Sequence, residues 1–122
     1  MYELEVEREF CAAHAIVIRG VRERTHGHNW RVRLVISGET LDEEGLLCDF
    51  HQVEAALDAV IAPLRDADLN ATAPFDRLNP TAELVAQHLA ESVARALPGS
   101  ARLASVRVTE APGCAATYRP RA

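Results

Sequence analysis

His26-Gly27-His28-Asn29-Trp30-Arg31-Val32-Arg33-Leu34-Val35-Ile36 is the stretch that decides the fold. His28, Trp30, Val32, Leu34 and Ile36 share one parity while Arg31 and Arg33 take the other, which is the period of two expected of a half-buried strand. The two histidines open that strand on its apolar side. Residues two apart on an extended chain point the same way, with Cα atoms about 6.5–7 Å apart, so both imidazoles can reach one metal ion. Gly27 between them leaves the approach uncrowded. A neutral imidazole is the commonest zinc ligand, and a catalytic zinc site needs three protein ligands plus an open fourth position. A lone histidine on a loop is more often an ordinary polar residue, so the third histidine matters.

That third histidine closes the preceding run. From Tyr2 the even positions read Tyr2, Leu4, Val6, Phe10, Ala12 and His14, with Glu3, Glu5, Glu7 and Glu9 opposite. His14 thus leaves its strand on the apolar face, as His26 and His28 do. Further along, the period changes to that of a helix between Asp49 and Leu64, where Val53, Leu57, Val60, Ile61 and Leu64 form one face and Asp49 is the N-cap. A second helix is predicted from Asn79-Pro80-Thr81, with Asn79 as cap, Pro80 in the first turn, and Val85, Leu89, Val93 and Leu97 as the stripe before Pro98-Gly99. The 66–79 stretch joins the helices as a loop. Strands return at Leu103 to Glu110 and Cys114 to Tyr118. The order ββααββ, without repeats or low-complexity segments, predicts an α+β domain in which an antiparallel four-stranded sheet carries two helices on one face.

Ala104, Val106, Val108 and Glu110 share a parity, so Glu110 presents a carboxylate on the apolar side of its strand. A buried carboxylate needs a partner. It can accept two parallel N–H bonds, which suits the amino-and-ring-nitrogen edge of a pterin or guanine; the other possibility is a solvated residue in the Ala111-Pro112-Gly113 turn.

The bulk properties narrow the function classes. A chain of 122 residues is one domain with a modest core, to which assembly into a homo-oligomer would add buried surface. The net charge of −5, without a basic tail or aromatics interleaved with basic residues, argues against nucleic acid as a partner. There is no signal-like pattern at the N-terminus and no apolar run of membrane-spanning length, which predicts a cytoplasmic protein without a membrane partner. Cys11, Cys48 and Cys114 lack Cys-x-x-Cys spacing, so the expectation is reduced, mostly buried thiols rather than a disulfide framework or thiolate zinc site.

Five segments together resemble one family: Phe10-Cys11-Ala12-Ala13-His14, His26-Gly27-His28-Asn29-Trp30, Asp49-Phe50, Asn79-Pro80-Thr81-Ala82-Glu83 and Thr109-Glu110. They are similar to the 6-pyruvoyl-tetrahydropterin and 6-carboxy-tetrahydropterin synthases, in order over nearly the whole chain. The resemblance implies the tunnelling fold (T-fold), in which ββααββ subunits join their sheets into a barrel, usually as a hexamer of two trimers. It implies zinc on His14, His26 and His28, a pterin anchored by Glu110 with help from the Thr81 region, 7,8-dihydroneopterin triphosphate as substrate, and a place in folate or queuosine biosynthesis.

The chain departs from the family at two places. The usual cysteine, four residues before the first histidine of His-Gly-His, is Arg22 here. The usual Asp-His pair falls in Leu64-Arg65-Asp66-Ala67-Asp68-Leu69-Asn70, where Arg65 and Asp66 stand instead. One branch of the family replaces the cysteine with glutamate in Glu-x-x-His-Gly-His, and Glu23-Arg24-Thr25-His26-Gly27-His28 has that spacing. That branch cleaves a carbon–carbon bond and yields 6-hydroxymethyl-dihydropterin. The expectation is therefore a zinc lyase with Glu23 as base, Asp66 as a candidate replacement for the missing acid, and Arg22 and Arg24, with Arg19, drawing the anionic phosphate tail. His51 and His88 fit partly exposed positions, although His88, like Asp66, could replace the missing histidine of the pair. From a different class comes a non-catalytic pterin- or purine-binding zinc protein of the same fold. A cupin-like metal enzyme is a third possibility, weakened by Val32 where that motif wants an acidic ligand.

Overall fold

The computed structural model describes residues 1 to 121. Strand β1 (Tyr2–His14) pairs antiparallel with β4 (His26–Gly38) in unbroken register from Tyr2 opposite Gly38 to His14 opposite His26. Between them, β2 (Val17–Ile18) and β3 (Val21–Arg22) form a separate two-stranded ribbon turning at Arg19 and Gly20. Both turn residues have positive φ, 51° and 79°, and Gly20 takes the more left-handed position without steric cost. After helix α1 (Phe50–Ile61), the two-residue β5 (Ala67–Asp68) lies parallel to the end of β1. Helix α2 (Ala82–Ala94), β6 (Arg102–Ala111) and β7 (Cys114–Tyr118) complete the chain, and the sheet order is β5-β1-β4-β6-β7. The four long strands follow the ββααββ order expected, and β5 is an addition made by the connection between the helices.

One sheet face is apolar because the strands alternate. Val6, Phe10 and Ala12 of β1, Trp30, Val32, Leu34 and Ile36 of β4, and Val106 and Val108 of β6 meet Val53, Leu57 and Ile61 of α1 and Val85, Leu89 and Val93 of α2 in one core. The opposite face carries Glu5, Glu7 and Glu9 against Arg31 and Arg33, with N···O separations of 3.3–3.6 Å. On the helix side Arg8 reaches across to Glu54 at 2.8 Å and Asp58 at 2.7 Å, tying β1 to α1. These two carboxylates raise the Arg8 pKa further above its ordinary value, and the guanidinium in turn lowers that of Asp58.

Several local expectations shift. Asp49 caps α1 as expected, accepting from the His51 N–H, but the cap of α2 is Thr81, accepting from Leu84 N–H, and not Asn79. The helix starts two residues later because Asn79 is engaged elsewhere, as described below. In β6 it is Leu103, not Ala104, that joins the core. The pairing passes from Val35 opposite Ser105 to Ile36 opposite Leu103, so Ala104 is the extra residue of a bulge that reverses the parity. Of the cysteines only Cys48 is buried; Cys11 lies on the charged face, where its odd position puts it, and Cys114 lies on the outermost strand. No helix among the described residues is long and apolar enough to cross a membrane.

Candidate metal centre

The β1–β4 register brings the three histidines together. His14 sits opposite His26, while His28 lies two residues further along the same strand and face. Their ring centroids are 4.7–5.1 Å apart, and one nitrogen from each ring lies within 4.8 Å of the others. Trp30, fully buried, supports the cluster from below, with its ring edge-on to His14 and His28 at centroid distances of 4.8 and 5.7 Å.

Backbone carbonyls set the tautomers. His14 Nδ1 lies 2.8 Å from the Pro80 carbonyl and His26 Nδ1 lies 2.8 Å from that of Arg24. A carbonyl can only accept, so both Nδ1 atoms carry the proton, and in the neutral ring each Nε2 is left with a lone pair. His14 Nε2 and His28 Nε2 are buried without a hydrogen-bond partner. Orphaned buried polar atoms are uncommon, and these two belong to the same cluster.

The carboxylates sharpen this. Glu110 Oε1 is 3.2 Å from His14 Nε2 and Glu23 Oε1 is 3.6 Å from His26 Nε2. For neutral imidazoles with Nδ1 protonated, those contacts set acceptors against lone pairs. A cation among the three Nε2-bearing rings removes the conflict, so the donor set fits a divalent metal of zinc type: three neutral nitrogens, with carboxylates beside them rather than in a thiolate cage. Burial lowers the pKa of His28, partly opposed by Glu110, and keeps that ring in the neutral form a metal requires.

Glu110 faces the cluster because β6 regains its parity at Val106 and Val108. It lies at a second irregularity, where the β6–β7 pairing passes from Thr109 opposite Ala115 to Ala111 opposite Cys114. A bulge of this kind re-aims a side chain at a strand end. Glu23 is fixed by the segment after His14: its Oε1 accepts from Ile16 N–H at 3.1 Å and its own N–H donates to the Ile16 carbonyl at 3.0 Å.

Other expected residues lie further off. Arg22 sits in β3, paired with Val17, and Arg24 contributes its carbonyl to His26; both side chains are exposed, and neither is ion-paired among the described residues. Thr81 follows the carbonyl that holds His14, but its hydroxyl oxygen serves as the α2 cap. Asp66 is not gathered around the imidazoles. It has a positive φ of 58° and lines an open cleft of about 550 Å³ with Cys11, Ala13, Gly27, Asn29 and Asp68, which touches the cluster only through His28. The odd-numbered residues of β1 and β4 in that cleft leave the sheet away from His14. His51 bonds to Asp49, and His88 packs edge-on against Phe75 with its pKa lowered by burial; neither enters the cluster.

Two residues near the centre escaped the reading of the sequence. Asn70 Oδ1 accepts from Ala15 N–H at 2.8 Å while its Nδ2 donates to the Ala15 carbonyl at 2.9 Å. Asn79 does the same for Val17, at 2.9 and 3.0 Å.

The chain matches the family model described as 6-pyruvoyl tetrahydropterin synthase over residues 3–121. Over 101 residues it is 32% identical to a dihydroneopterin monophosphate aldolase from Pyrococcus furiosus, covering 83% of this chain and 82% of that one. Identity to a 6-carboxy-5,6,7,8-tetrahydropterin synthase of Bacillus subtilis is 28% over 126 residues, 98% of this chain and 86% of the other. Among solved structures, the 6-pyruvoyl tetrahydropterin synthase of Caenorhabditis elegans superposes with a TM-score of 0.86 at 20% identity, covering 98% of this chain and 96% of that chain. A Plasmodium vivax 6-pyruvoyltetrahydropterin synthase, described with a catalytic glutamate replaced by alanine, superposes at 0.79 with 18% identity over 99% and 98% of the two chains.

Proposed function

Because the chain belongs to the 6-pyruvoyl tetrahydropterin synthase family, we propose that it is a zinc-dependent carbon–carbon lyase. In this reading it shortens the side chain of a phosphorylated 7,8-dihydroneopterin to 6-hydroxymethyl-dihydropterin. The observation that carries it is the Glu23 carboxylate, held 3.6 Å from His26 at the rim of the imidazole cluster. The naming of the Pyrococcus furiosus relative as a monophosphate aldolase supports cleavage, and the catalytic glutamate of the Plasmodium vivax protein supports a carboxylate as the working group.

His14, His26 and His28 would hold the ion. When bound, it supplies a Lewis acid that lowers the pKa of a coordinated substrate hydroxyl. Glu23, within reach of the same space, takes the proton of the hydroxyl on the second side-chain carbon. The bond between the first and second carbons then breaks: the second carbon leaves in an aldehyde with the phosphate-bearing end, and the electron pair passes into the dihydropterin ring. A proton delivered to the first carbon completes the hydroxymethyl product, so atoms and electrons balance without a co-reactant. The Ile16 N–H holds Oε1 of Glu23, the oxygen 3.6 Å from His26 Nε2, and the carboxylate keeps further lone pairs for the proton. Glu110 accepts the paired N–H groups of the pterin edge, with help from the Thr81 segment that the family implies.

Arg19, Arg22 and Arg24, exposed on the ribbon and the segment leading to His26, would draw the phosphate tail on an acidic protein; the triphosphate expected from the family and the monophosphate of the archaeal relative both fit that chemistry. The outer edge of β7 and the part of β1 that the two-residue β5 leaves uncovered suit closure between subunits into a hexamer acting in the cytoplasm. The test is mass spectrometry of products from 7,8-dihydroneopterin mono- and triphosphate. Wild type should release 6-hydroxymethyl-dihydropterin, and Glu23→Ala should lose roughly 10²–10⁴ in rate, the size of a general-base effect. Pterin binding without turnover by wild type would overturn catalysis in favour of a binding protein.

A further inference from the structure

Ala15, Ile16 and Val17 follow the metal-ligand candidate His14 directly, and all three have both backbone groups engaged by other parts of the chain. Ala15 is taken by the Asn70 carboxamide, Ile16 by Glu23, and Val17 by the Asn79 carboxamide. Each asparagine donates and accepts at once, copying the two bonds of a neighbouring strand where no strand runs. Successive backbone groups of an extended segment point to alternate sides, so the asparagines grip one side and Glu23 the other. The grips come from distant points: Asn70 from the 3₁₀ turn Leu69–Ala71, itself capped by Asp68, and Asn79 from the chain entering α2. Pro80, the next residue after Asn79, holds His14 Nδ1.

We propose that Asn70 and Asn79 are positioning residues for the carboxylate of Glu23, holding the Ile16 N–H where it fixes Oε1, the oxygen that lies 3.6 Å from His26 Nε2. The proposal rests on the reading of Glu23 as the base. A carboxamide clamp is suited to this task because the 15–17 segment lies off the sheet. Without the clamps its peptide groups would turn to water, and the Ile16 N–H would no longer be fixed relative to His26. A small displacement of a proton-transfer group costs rate steeply while leaving substrate contacts intact. The two clamps are not equivalent in burial: Asn70 and its bonds are partly enclosed, whereas those of Asn79 are open to solvent. Asn79 is therefore the variant that tests position with the least disturbance of folding.

The experiment combines kinetics with amide hydrogen exchange on the zinc-loaded full chain. Asn79→Ala and Asn70→Ala should each lower kcat by at least about 10-fold with KM within about 3-fold and zinc content unchanged, the pattern of lost transition-state positioning. In the Glu23→Ala background either asparagine change should add almost nothing, because the asparagines act through that carboxylate. The Ile16 amide should exchange at least about 10-fold faster in the asparagine variants while core amides of β1, β4 and β6 keep their protection. Losses that multiply with Glu23→Ala would overturn the proposal in favour of a purely structural clamp, as would full kcat in both asparagine variants. Unchanged Ile16 exchange in both would overturn the clamp itself. Full turnover in Glu23→Ala, by contrast, would sink the base assignment, and accelerated Ile16 exchange in the asparagine variants would then show a clamp without a catalytic charge to hold.

Discussion

Trp30→Phe removes the support beneath the three imidazoles while keeping an aromatic ring in the core. Trp30 is fully buried, donates its indole N–H to the Ala12 carbonyl at 3.1 Å, and lies nearly parallel to Phe10 at 6.2 Å between centroids. Phenylalanine cannot make the hydrogen bond, and losing one such bond costs about 0.5–1.5 kcal/mol. It also leaves the space of the missing ring atoms unfilled. Complete truncation of a buried aromatic costs about 3–5 kcal/mol, so the partial cavity and lost bond together should cost about 2–3 kcal/mol. For a domain of this size each kcal/mol moves Tm by about 4 °C, giving a fall of about 8–12 °C. The melt should be run with chelator and at fixed protein concentration, because bound metal and assembly both add apparent stability. The site should respond separately: the indole edge orients His14 and His28, and loss of such support weakens metal binding by about 10–100-fold. A Tm within about 2 °C of wild type, with unaltered zinc affinity, would refute the reasoning and leave ring orientation to the Pro80 and Arg24 carbonyls alone.

Replacing His14, His26 or His28 with Ala should each reduce zinc below the ratio of about one per chain expected of wild type, and elemental analysis that found any variant fully loaded would remove that residue from the ligand set. Glu110→Gln keeps the shape but puts a donor where the pterin edge donates, so affinity should weaken by about 1.5–3 kcal/mol with zinc unchanged; equal affinities in calorimetry would place the pterin elsewhere. His88, its pKa lowered by burial, is neutral in the fold, whereas the unfolded chain takes up a proton below about pH 6.5. Its contribution is therefore present above that pH and lost as pH falls toward the folded value, so His88→Leu should flatten the stability profile in that window, and parallel profiles would contradict the sign. Light scattering at micromolar concentration should give a hexamer; a clean monomer would exclude assembly of the site between subunits.

The period of two made most of the centre legible: parity puts His14, His26, His28 and Glu110 on the helix side, whereas Glu23 is pointed to by the resemblance to a family branch with Glu-x-x-His-Gly-His. Parity also exposes Cys11, which shares the side of Glu3 to Glu9, although the expectation for cysteines in general was burial. What the sequence concealed depends on contacts distant along the chain. No local pattern in Leu69-Asn70-Ala71 or Leu78-Asn79-Pro80 announces that both asparagines face the segment after β1, and Asn79 followed by Pro80 reads as a helix cap because that is its commonest local use. The bulge at Ala104 is equally silent. Alternation survives on either side of it, and only the pairing with β4 reveals the extra residue.

The register of β1 against β4 connects the fold to the chemistry, and its selection can be followed residue by residue. A slip of one residue would turn Glu5, Glu7 and Glu9 into the core and His14 out of it, so the apolar pattern forbids it. A slip of two residues preserves parity and needs a different discriminator. The ion pairs of the open face do not supply one, because a shift setting Glu7 opposite Arg31 and Glu5 opposite Arg33 keeps two opposite-charge pairs, each worth only about 0.2–1 kcal/mol. The core side does. In that shift Arg8 would lie opposite Trp30, and Phe10 opposite His28, whereas the native register sets Phe10 opposite Trp30 and Arg8 opposite Val32. Native Arg8 then meets Glu54 and Asp58 on α1, and the Phe10–Trp30 stack fills the space beneath the imidazoles. The shift would also carry His14 from His26 to Arg24. Packing of a large aromatic pair thus selects the register that sets His14 opposite His26, and the imidazole cluster is assembled by the fold itself.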